Sequence, residues 1–263
     1  MFKTFLVLCR VRIAAMKRWV EPVISFQKLR ASFRLYIRYL ADWNRYKNLP
    51  SAEFLRLEDS YPCLFDRTEG TPYDPHYFHQ AAWAMGRIAA SQTTRHLDVG
   101  SDVRFVGMLT THTQVTFIDV RPLKVDLIRL NPVAGSIAAL PLGDGSITSL
   151  SCLHVVEHVG LGRYGDQLDP LGTRRACKEL TRVLAPGANL FVSLPVGRPR
   201  VCFNAHRVHS PLQVLSCFEG LELIEFSAVD DRGKFREKAD LDEMGQANYA
   251  CGLFWFKLAK TPS

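Results

Sequence analysis

The sequence of 263 residues lacks long apolar runs and any strong compositional bias. No apolar stretch approaches the roughly 20 residues that a transmembrane helix needs. The run from Phe5 to Cys9 is too short for the core of a signal peptide. A balance of 47% apolar and 22% charged residues excludes collagen, coiled-coil rods and wholesale disorder. The length therefore predicts one large globular domain or two small ones.

The seven cysteines form no CxxC pair, which argues against a zinc ribbon or a disulfide framework. Several lie inside apolar runs, as Cys152 does in SLSCLHVV and Cys251 does in YACGLFWF. We interpret them as small buried side chains in a reducing compartment. The sequence thus predicts a cytoplasmic protein and no metal site.

Acidic residues are scarce in the first fifty residues, which hold eleven Lys or Arg but only Glu21 and Asp42. The net charge of this arm is +9, whereas that of the whole chain is +7, so the remaining residues have a net charge of −2. A near-neutral body offers no basic face, and we expect no nucleic-acid partner.

Residues 1–50 are expected to form a basic amphipathic helical arm, with one helix over residues 2–20 and a second from Pro22 to Asn48. The second helix would carry a stripe of Leu29, Phe33, Ile37, Leu40 and either Trp43 or Asn44, beside Arg30, Arg34 and Arg38. Such a helix fits peripheral contact with an anionic surface, most simply the inner membrane of a bacterium. The alternative is that the stripe packs on the body as a cap or lid.

Residues 51–94 are expected to be irregular, apart from a lead-in helix from Pro75 to about Gln92. Residues 95–263 alternate strand and helix patterns, which predicts an α/β domain with a mostly parallel sheet. The strand-like runs cover residues 95–100, 114–120, 147–153, 189–195, 221–229 and 249–259. The helix before the fourth run is expected to stop at Pro186-Gly187, and another helix is expected to start at Ser210-Pro211. The last two strands, joined by a loop, suggest an antiparallel hairpin.

A candidate nucleotide site follows the first two strands. In HLDVGSDVRFVG a strand ends at Asp98 and Gly100 and a helix follows, as in many nucleotide-binding α/β proteins. Asp119 ends the next strand, nineteen residues after Gly100. A carboxylate there can accept hydrogen bonds from both hydroxyls of a ribose. The alternatives are an ordinary tight turn at Gly100 and a helix N-terminal acid at Asp119.

Polar residues also follow the later strands. His154, Glu157 and His158 spell H-x-x-E-H, the signature of one class of zinc peptidase. That chemistry needs a helix, whereas Gly160 and Gly162 would stop one within a turn. Two loops at the same sheet edge supply further polar side chains, which predict a pocket for a polar substrate. These are Arg163, Tyr164 and Asp166 in one loop and Asn204, His206 and Arg207 in the other.

The stretch LPLGDGSITSLSCLHVVEHV resembles the LPF-D-x-S-F-D…EH segment of class I S-adenosylmethionine-dependent methyltransferases. The order of elements from about 95 to 259 is similar to theirs. GLGRYGD, ELTRVLAPGANLFVSLPVG and NAHR resemble a bacterial family of unknown function within that superfamily, associated with polysaccharide-synthesis genes. The resemblance spans roughly residues 50–259. It implies a Rossmann-like methyltransferase fold with a mostly parallel seven-stranded sheet, a C-terminal antiparallel hairpin and an N-terminal helical extension.

The resemblance also implies a cofactor, S-adenosylmethionine, and a set of site residues. Those expected to hold the cofactor are Asp98, Gly100, Ser101, Asp119, Ser136, Ile137 and His154. The candidates for the base that accepts a proton from the acceptor are His154, His158, His206 and Asp166. Those expected to contact the acceptor are Glu157, Arg163, Tyr164, Asn204 and Arg207.

One departure from the superfamily pattern concerns the glycine turn. Asp102 and Arg104 stand where the second and third glycines would fall, and Asp102 would repel the carboxylate of the cofactor unless a cation such as Arg104 offsets it.

We therefore carry three functional hypotheses from the sequence. The first is a methyltransferase acting on an oxygen or nitrogen acceptor, such as a saccharide or glycan precursor. The second is a non-catalytic binding module of the same fold in glycan assembly, which the altered turn favours. The third is a metal-dependent hydrolase that uses HVVEH.

Overall fold

The structure is a computed structural model that describes residues 26–259. The chain divides into two compact units, residues 1–72 and 73–263. In the first unit, helix α1 spans Phe26–Lys47 and leaves Leu29, Phe33, Ile37 and Leu40 exposed. The helix predicted over residues 2–20 lies outside the described residues. None of the helices between residues 26 and 259 is both long enough and apolar enough to cross a bilayer.

The second unit begins with helix α2 (Pro75–Ala90), close to the predicted lead-in helix. Its N-cap Asp74 accepts hydrogen bonds from the amides of His76 and Tyr77. The elements that follow are β1 (Arg95–Val99), α3 (Val103–Leu109), β2 (Gln114–Asp119), β3 (Leu130–Ala134), β4 (Ile147–Leu153), α4 (Gly172–Arg182), β5 (Leu184–Val196), β6 (Arg200–Cys202), β7 (His206–Val208), α5 (Pro211–Cys217), β8 (Leu221–Val229), β9 (Phe235–Arg236), α6 (Leu241–Gly245) and β10 (Ala250–Leu258).

The main sheet has the strand order β3-β2-β1-β4-β5-β10-β8-β9. The first five strands are parallel, and β10 lies antiparallel between β5 and β8. The prediction of an α/β fold with a mostly parallel sheet and a C-terminal antiparallel pair is confirmed. Some details differ within the described residues. β9 adds a two-residue eighth strand, α6 lies in the connection that was predicted to be a loop, and β6 pairs with β7 in a separate two-stranded sheet.

The sequence pattern predicts that a helix stops at Pro186-Gly187, and this prediction is wrong. The pair lies inside β5. Helix α4 already ends at Arg182. The register between β4 and β5 shifts, because Ile147 lies opposite Leu184 whereas Ser149 lies opposite Asn189. The extra β5 residues form an irregularity that keeps the proline, which has no amide hydrogen, out of the regular ladder.

Apolar clusters cover both faces of the sheet. One contains Trp83 and Phe105 with Phe117 and Phe191, and the other contains Leu180 and Val214 with Ile118, Leu190 and Val192. Neighbouring residues of one strand, such as Phe117 and Ile118, fall in different clusters because side chains alternate between the faces. The polar residues described next lie at or directly after the carboxyl ends of β1, β2 and β4, at the border of this packing.

Candidate functional site

The turn after β1 has a backbone that favours glycine. Gly100 has a φ of 72°, in the left-handed region that costs other residues energy. A Cβ atom at this position would lie 3.1 and 3.2 Å from the two methyl groups of Val155 and 3.8 Å from Oδ2 of Asp119. The absent side chain therefore leaves open the space between the turn and the carboxylate at the end of β2.

Asp98 lies beneath this turn and is fully buried. Its carboxylate accepts hydrogen bonds from the amide and hydroxyl of Ser101 and from the hydroxyl of Ser151. Burial raises the pKa of Asp98 to about 6. Asp98 does not line the cleft described below. Its geometry is that of a residue that positions the turn, whereas its predicted direct contact with a cofactor stays a prediction.

Asp102 and Arg104, which replace glycines of the superfamily pattern, form an ion pair. Nη2 of Arg104 lies 2.8 Å from Oδ2 of Asp102, and Oδ1 of Asp102 accepts from the Arg104 amide, also at 2.8 Å. The same carboxylate caps the N-terminus of α3. The hydrogen bond with Arg104 lowers the pKa of Asp102 despite partial burial. The cation that the sequence suggested as an offset is thus in contact with the carboxylate.

Two adjoining clefts of about 640 and 480 Å³ open at the carboxyl ends of β1, β2 and β4. Gly100, Asp119, His154 and Tyr164 line both clefts. Ser136 and Ile137 line the larger one and Ser101 lines the smaller. Six of the seven residues predicted to hold a cofactor thus lie together on these walls, all except Asp98. Oδ1 of Asp119 accepts from the Arg121 amide at 2.7 Å.

His154 follows directly after β4 and has a positive φ of 56°. Its Nδ1 lies 2.7 Å from Oε1 of Glu157, and its Nε2 lies 3.4 Å from Sγ of Cys251. Burial alone lowers the pKa of His154, but Cys251 and Glu157 outweigh it and raise that pKa to about 10. Burial likewise opposes ionisation of Glu157, yet His154 holds the pKa of that carboxyl below its usual value. Because both of its ring nitrogens already have partners, His154 has no free lone pair with which to accept a proton from a substrate.

His158 lines the larger cleft and has a different environment. Its Nδ1 lies 2.5 Å from the carbonyl oxygen of Ala205, so Nδ1 donates and Nε2 is left with a lone pair. Nε2 lies 3.6 Å from Oε1 of Glu157. Burial lowers the pKa of His158, although Glu157 opposes the shift. A neutral imidazole beside a carboxylate can take up a proton, because the carboxylate stabilises the imidazolium that results.

The other two candidates for the base are placed less favourably. Burial lowers the pKa of His206, but its ring packs 5.0 Å from that of Tyr249 and does not line either cleft. Asp166 lines the larger cleft and accepts from the amides of Gly160 and Tyr164. Burial alone would raise the pKa of Asp166, but the hydrogen bonds from backbone amides outweigh burial and lower that pKa. Both roles stay predictions that the geometry does not favour.

The residues predicted to contact an acceptor are only partly brought together. Tyr164 lines both clefts, whereas Glu157 is fully buried between His154 and His158. Arg207 donates to the carbonyls of Val159 and Asp169 at 2.6 and 3.0 Å, so its guanidinium is used within the protein. Asn204 donates to the Leu161 carbonyl at 3.4 Å, and Arg163 donates to the Ala205 carbonyl at 3.2 Å. These contacts join the loop of Arg163 to that of Asn204, and of the five predicted residues only Tyr164 lines the clefts.

Three residues near the site were not identified from the sequence. His76 stacks on His154 with 5.6 Å between the ring centroids, and Cys251 contacts the same imidazole. The guanidinium of Arg121 lies over the ring of Tyr164. Cys251 looked like an ordinary core cysteine, and His76 looked like a helix N-terminal residue. Only Arg121 could have been identified from its position in the sequence, because it lies two residues after Asp119, where a predicted strand ends.

One family model matches the chain, over residues 145–249, and it is described as a Caenorhabditis protein of unknown function, DUF268. No curated protein matches the sequence. Among solved structures, the N-methyltransferase NodS from Bradyrhizobium japonicum WM9 is similar over 71% of this chain and 98% of its own, with a TM-score of 0.51 and 17% identity. A chain of the complex between the Haloferax volcanii Trm112 methyltransferase activator and its proposed methyltransferase is similar over 72% of this chain and 92% of its own. The TM-score there is 0.50 and the identity 14%.

These likenesses show the fold: the chain has the Rossmann-like fold of class I methyltransferases. At such low identities they do not show the activity. The matched family model covers less than half of the chain and is described for Caenorhabditis proteins. Membership in a bacterial, polysaccharide-associated family therefore stays a prediction.

Proposed function

We propose that this chain is an S-adenosylmethionine-dependent methyltransferase acting on an oxygen or nitrogen atom of a polar acceptor. The observation that carries the proposal is the pairing of the Gly100 turn with Asp119 at the carboxyl edge of the sheet. Strand order reverses between β1 and β4, and open α/β sheets bind ligands at such a point. The cleft of about 640 Å³ has the size of a small-molecule site.

The residues of the cleft fit this cofactor. A Cβ at position 100 would intrude between the turn and Asp119, and the Asp119 carboxylate can accept hydrogen bonds from the two hydroxyls of a ribose. Ser136 and Ile137 line the same cleft and would contact the adenine ring of the cofactor. When bound, S-adenosylmethionine supplies an electrophilic methyl group. The ion pair of Asp102 with Arg104 reduces the repulsion that a lone Asp102 would exert on the methionine carboxylate.

His158 is the base that the geometry favours. Its Nδ1 donates to the carbonyl of Ala205, which fixes the ring and leaves Nε2 to accept the proton of the acceptor. Glu157, buried behind it, would stabilise the imidazolium. His154 would shape the wall of the cleft instead of accepting a proton, because Glu157 and Cys251 already occupy its two nitrogens.

We propose a saccharide or glycan precursor as the acceptor. The resemblance of GLGRYGD and NAHR to a polysaccharide-associated family supports this class. The cleft wall also combines an aromatic ring, Tyr164, with Arg121, Arg175 and Asp169, which can bind hydroxyl groups.

Calorimetry of the full chain with S-adenosylhomocysteine tests the cofactor site. Loss of the ribose hydrogen bonds in Asp119→Ala should weaken binding at least tenfold, about 1.5 to 3 kcal/mol. Asp126→Ala, which removes an exposed carboxylate that does not line either cleft, is the matched control and should bind as the wild type does. Absence of binding by the wild type at millimolar ligand would contradict the proposal.

Transfer of a labelled methyl group to a panel of saccharides and amines tests the reaction. His158→Gln should lower the rate about a hundredfold while leaving the affinity for S-adenosylhomocysteine unchanged. His112→Gln, at an exposed histidine, is the control. Cofactor binding without transfer to any acceptor would favour the non-catalytic binding module instead.

We also propose that residues 1–50 make peripheral contact with an anionic membrane. The exposed stripe of α1 supports this second role, since Leu29, Phe33, Ile37 and Leu40 are 67%, 72%, 55% and 60% exposed. Arg30, Arg34 and Arg38 lie on the adjacent face at intervals of four residues. A helix with an apolar face and basic flanks lies at the level of the lipid headgroups.

A further inference from the structure

Beside the larger cleft, three side chains from distant parts of the second unit come together. His76 lies in the first turn of α2, His154 follows β4 and Cys251 lies in β10. One ligand atom from each, a ring nitrogen or the thiol sulfur, lies within 4.8 Å of the other two. Cys251 is completely buried and His154 nearly so. We propose that these three residues bind a zinc ion.

The distances suit tetrahedral zinc. With Zn–S of about 2.3 Å and Zn–N of about 2.0 to 2.1 Å, a tetrahedral ion places sulfur and nitrogen ligands about 3.6 Å apart. Sγ of Cys251 and Nε2 of His154 are 3.4 Å apart. The two imidazole rings are nearly parallel, with an angle of 14° between their planes, and their centroids are 5.6 Å apart. Small side-chain movements would therefore bring all three ligand atoms to bonding distance.

The residues around the cluster prepare His154 to act as a ligand. Oε1 of Glu157 lies 2.7 Å from Nδ1, so it accepts the Nδ1 proton and directs the lone pair of Nε2 towards Cys251. Zinc-binding histidines almost always donate their second ring N–H to a carboxylate, a backbone carbonyl or water, and Glu157 is such a partner. The positive φ of His154, 56°, lies in the left-handed region, which is uncommon for residues other than glycine although histidine adopts it more often than most. It persists here in the segment that turns the imidazole towards the cluster.

The balance of charge gives a second, independent argument. Glu157 is fully buried, and its Oε2 atom has no hydrogen-bond partner among the described residues. A buried carboxylate oxygen without a hydrogen-bond partner is costly. A zinc ion with a Cys251 thiolate, two neutral imidazoles and the Glu157 carboxylate gives a net charge of zero. The ion would thus balance the charge of the buried carboxylate.

This site differs from the zinc-peptidase site that the H-x-x-E-H pattern would predict. In that hypothesis His154 and His158 bind the ion from one helix, whereas here His158 is hydrogen-bonded to Ala205 and is not part of the cluster. The proposed ion would join the start of α2 to the ends of β4 and β10. Three protein ligands leave one tetrahedral position for water.

Metal analysis of the full chain, purified without a histidine tag, tests the proposal. We expect one zinc per chain, and competition with a chromophoric chelator gives its affinity. Cys251→Ser and His76→Gln should each weaken zinc binding by about a hundredfold or more, and Glu157→Gln by about ten- to a hundredfold. Cys202→Ser, at a half-buried cysteine outside the cluster, should bind zinc as the wild type does.

A second measurement serves if a variant does not fold. Cobalt added to the metal-free wild type should produce an intense thiolate charge-transfer absorption, and zinc should raise the unfolding temperature. The proposal is overturned if the wild type binds no metal at micromolar zinc, or if cobalt binds without that absorption. It is equally overturned if folded Cys251→Ser and His76→Gln bind zinc as tightly as Cys202→Ser. None of these results depends on methyl transfer.

Discussion

The guanidinium carbon of Arg121 lies 4.4 Å from the centroid of the Tyr164 ring. Arg121 follows β2, and Tyr164 lies in the glycine-rich loop after β4. Both residues line both clefts. The cation–π contact therefore joins two loops that both line the clefts, as the Asp119 carboxylate also does.

Substitution of Tyr164 should reveal what this contact contributes to cofactor binding. Tyr164→Leu removes the aromatic face and should weaken S-adenosylhomocysteine binding about two- to fivefold, as expected for an exposed cation–π contact. Tyr164→Phe keeps the ring and should bind as the wild type does. Calorimetry on the two variants measures the difference. Equal weakening in both would assign the effect to the hydroxyl group instead of the ring.

Gly100 and Gly107 give a matched pair of alanine substitutions. Gly100→Ala places a methyl group 3.1 Å from Val155 in a left-handed backbone, and we expect a loss of about 1–2 kcal/mol in the free energy of unfolding. Gly107 lies within α3 with open space around it, so Gly107→Ala should stabilise by up to about 1 kcal/mol. Urea unfolding measures both. Equal stability of the two variants would mean that the turn relaxes freely.

Sequence pattern was enough to predict β1, β2, β4, β8, β10 and the carboxyl part of β5, but not β3, β6 or β7. It also singled out Gly100 and Asp119, which line both clefts. The buried parallel strands are continuous apolar runs, and Gly100 and Asp119 each stand where such a run ends. Helix starts were equally clear, since Ser210 and Gln213 form a capping box with Pro211 next to the cap. These features depend on neighbours in the chain, which a sequence displays directly.

Features that depend on distant contacts could not be predicted in this way. His76 and Cys251 lie near the start and the end of the sequence of the second unit, yet both contact His154. Their spacing along the chain gives no sign of this contact. The two-residue strand β9 is too short to have a pattern. The choice among three histidines needed their partners: Cys251 and Glu157 for His154, and Ala205 for His158.

The buried carboxyl of Asp98 should make stability depend on pH. Burial raises its pKa from 3.8 to about 6 in the folded protein, so the unfolded chain loses this proton at lower pH than the folded one. The contribution of Asp98 is therefore complete below pH 3.8 and is lost as the pH rises through about 6. A shift of roughly two units corresponds to about 3 kcal/mol.

Asp98→Asn removes this titration and keeps the size of the side chain. From pH 4 to 7 the variant should gain stability relative to the wild type, by up to about 3 kcal/mol. Urea unfolding of both proteins across this range measures the difference, in which the titration of all other groups cancels. A difference that does not change with pH would mean that Asp98 ionises with an ordinary pKa.

The membrane proposal predicts that binding requires both faces of α1. The full chain should sediment with phosphatidylglycerol vesicles at low salt and dissociate as salt approaches about 0.5 M, because salt screens the charges. At about 1 kcal/mol per basic residue near an anionic leaflet, Arg30→Gln with Arg34→Gln should weaken binding about thirtyfold. Phe33→Ser with Ile37→Ser should also weaken it, since the apolar face would no longer insert.

Phe54→Ser removes an aromatic side chain that is 87% exposed outside α1 and serves as the control. If the wild type stays in the supernatant at low salt, or if the Phe54 control weakens binding as much as the stripe variant, then α1 does not bind membranes and its apolar stripe needs a protein partner.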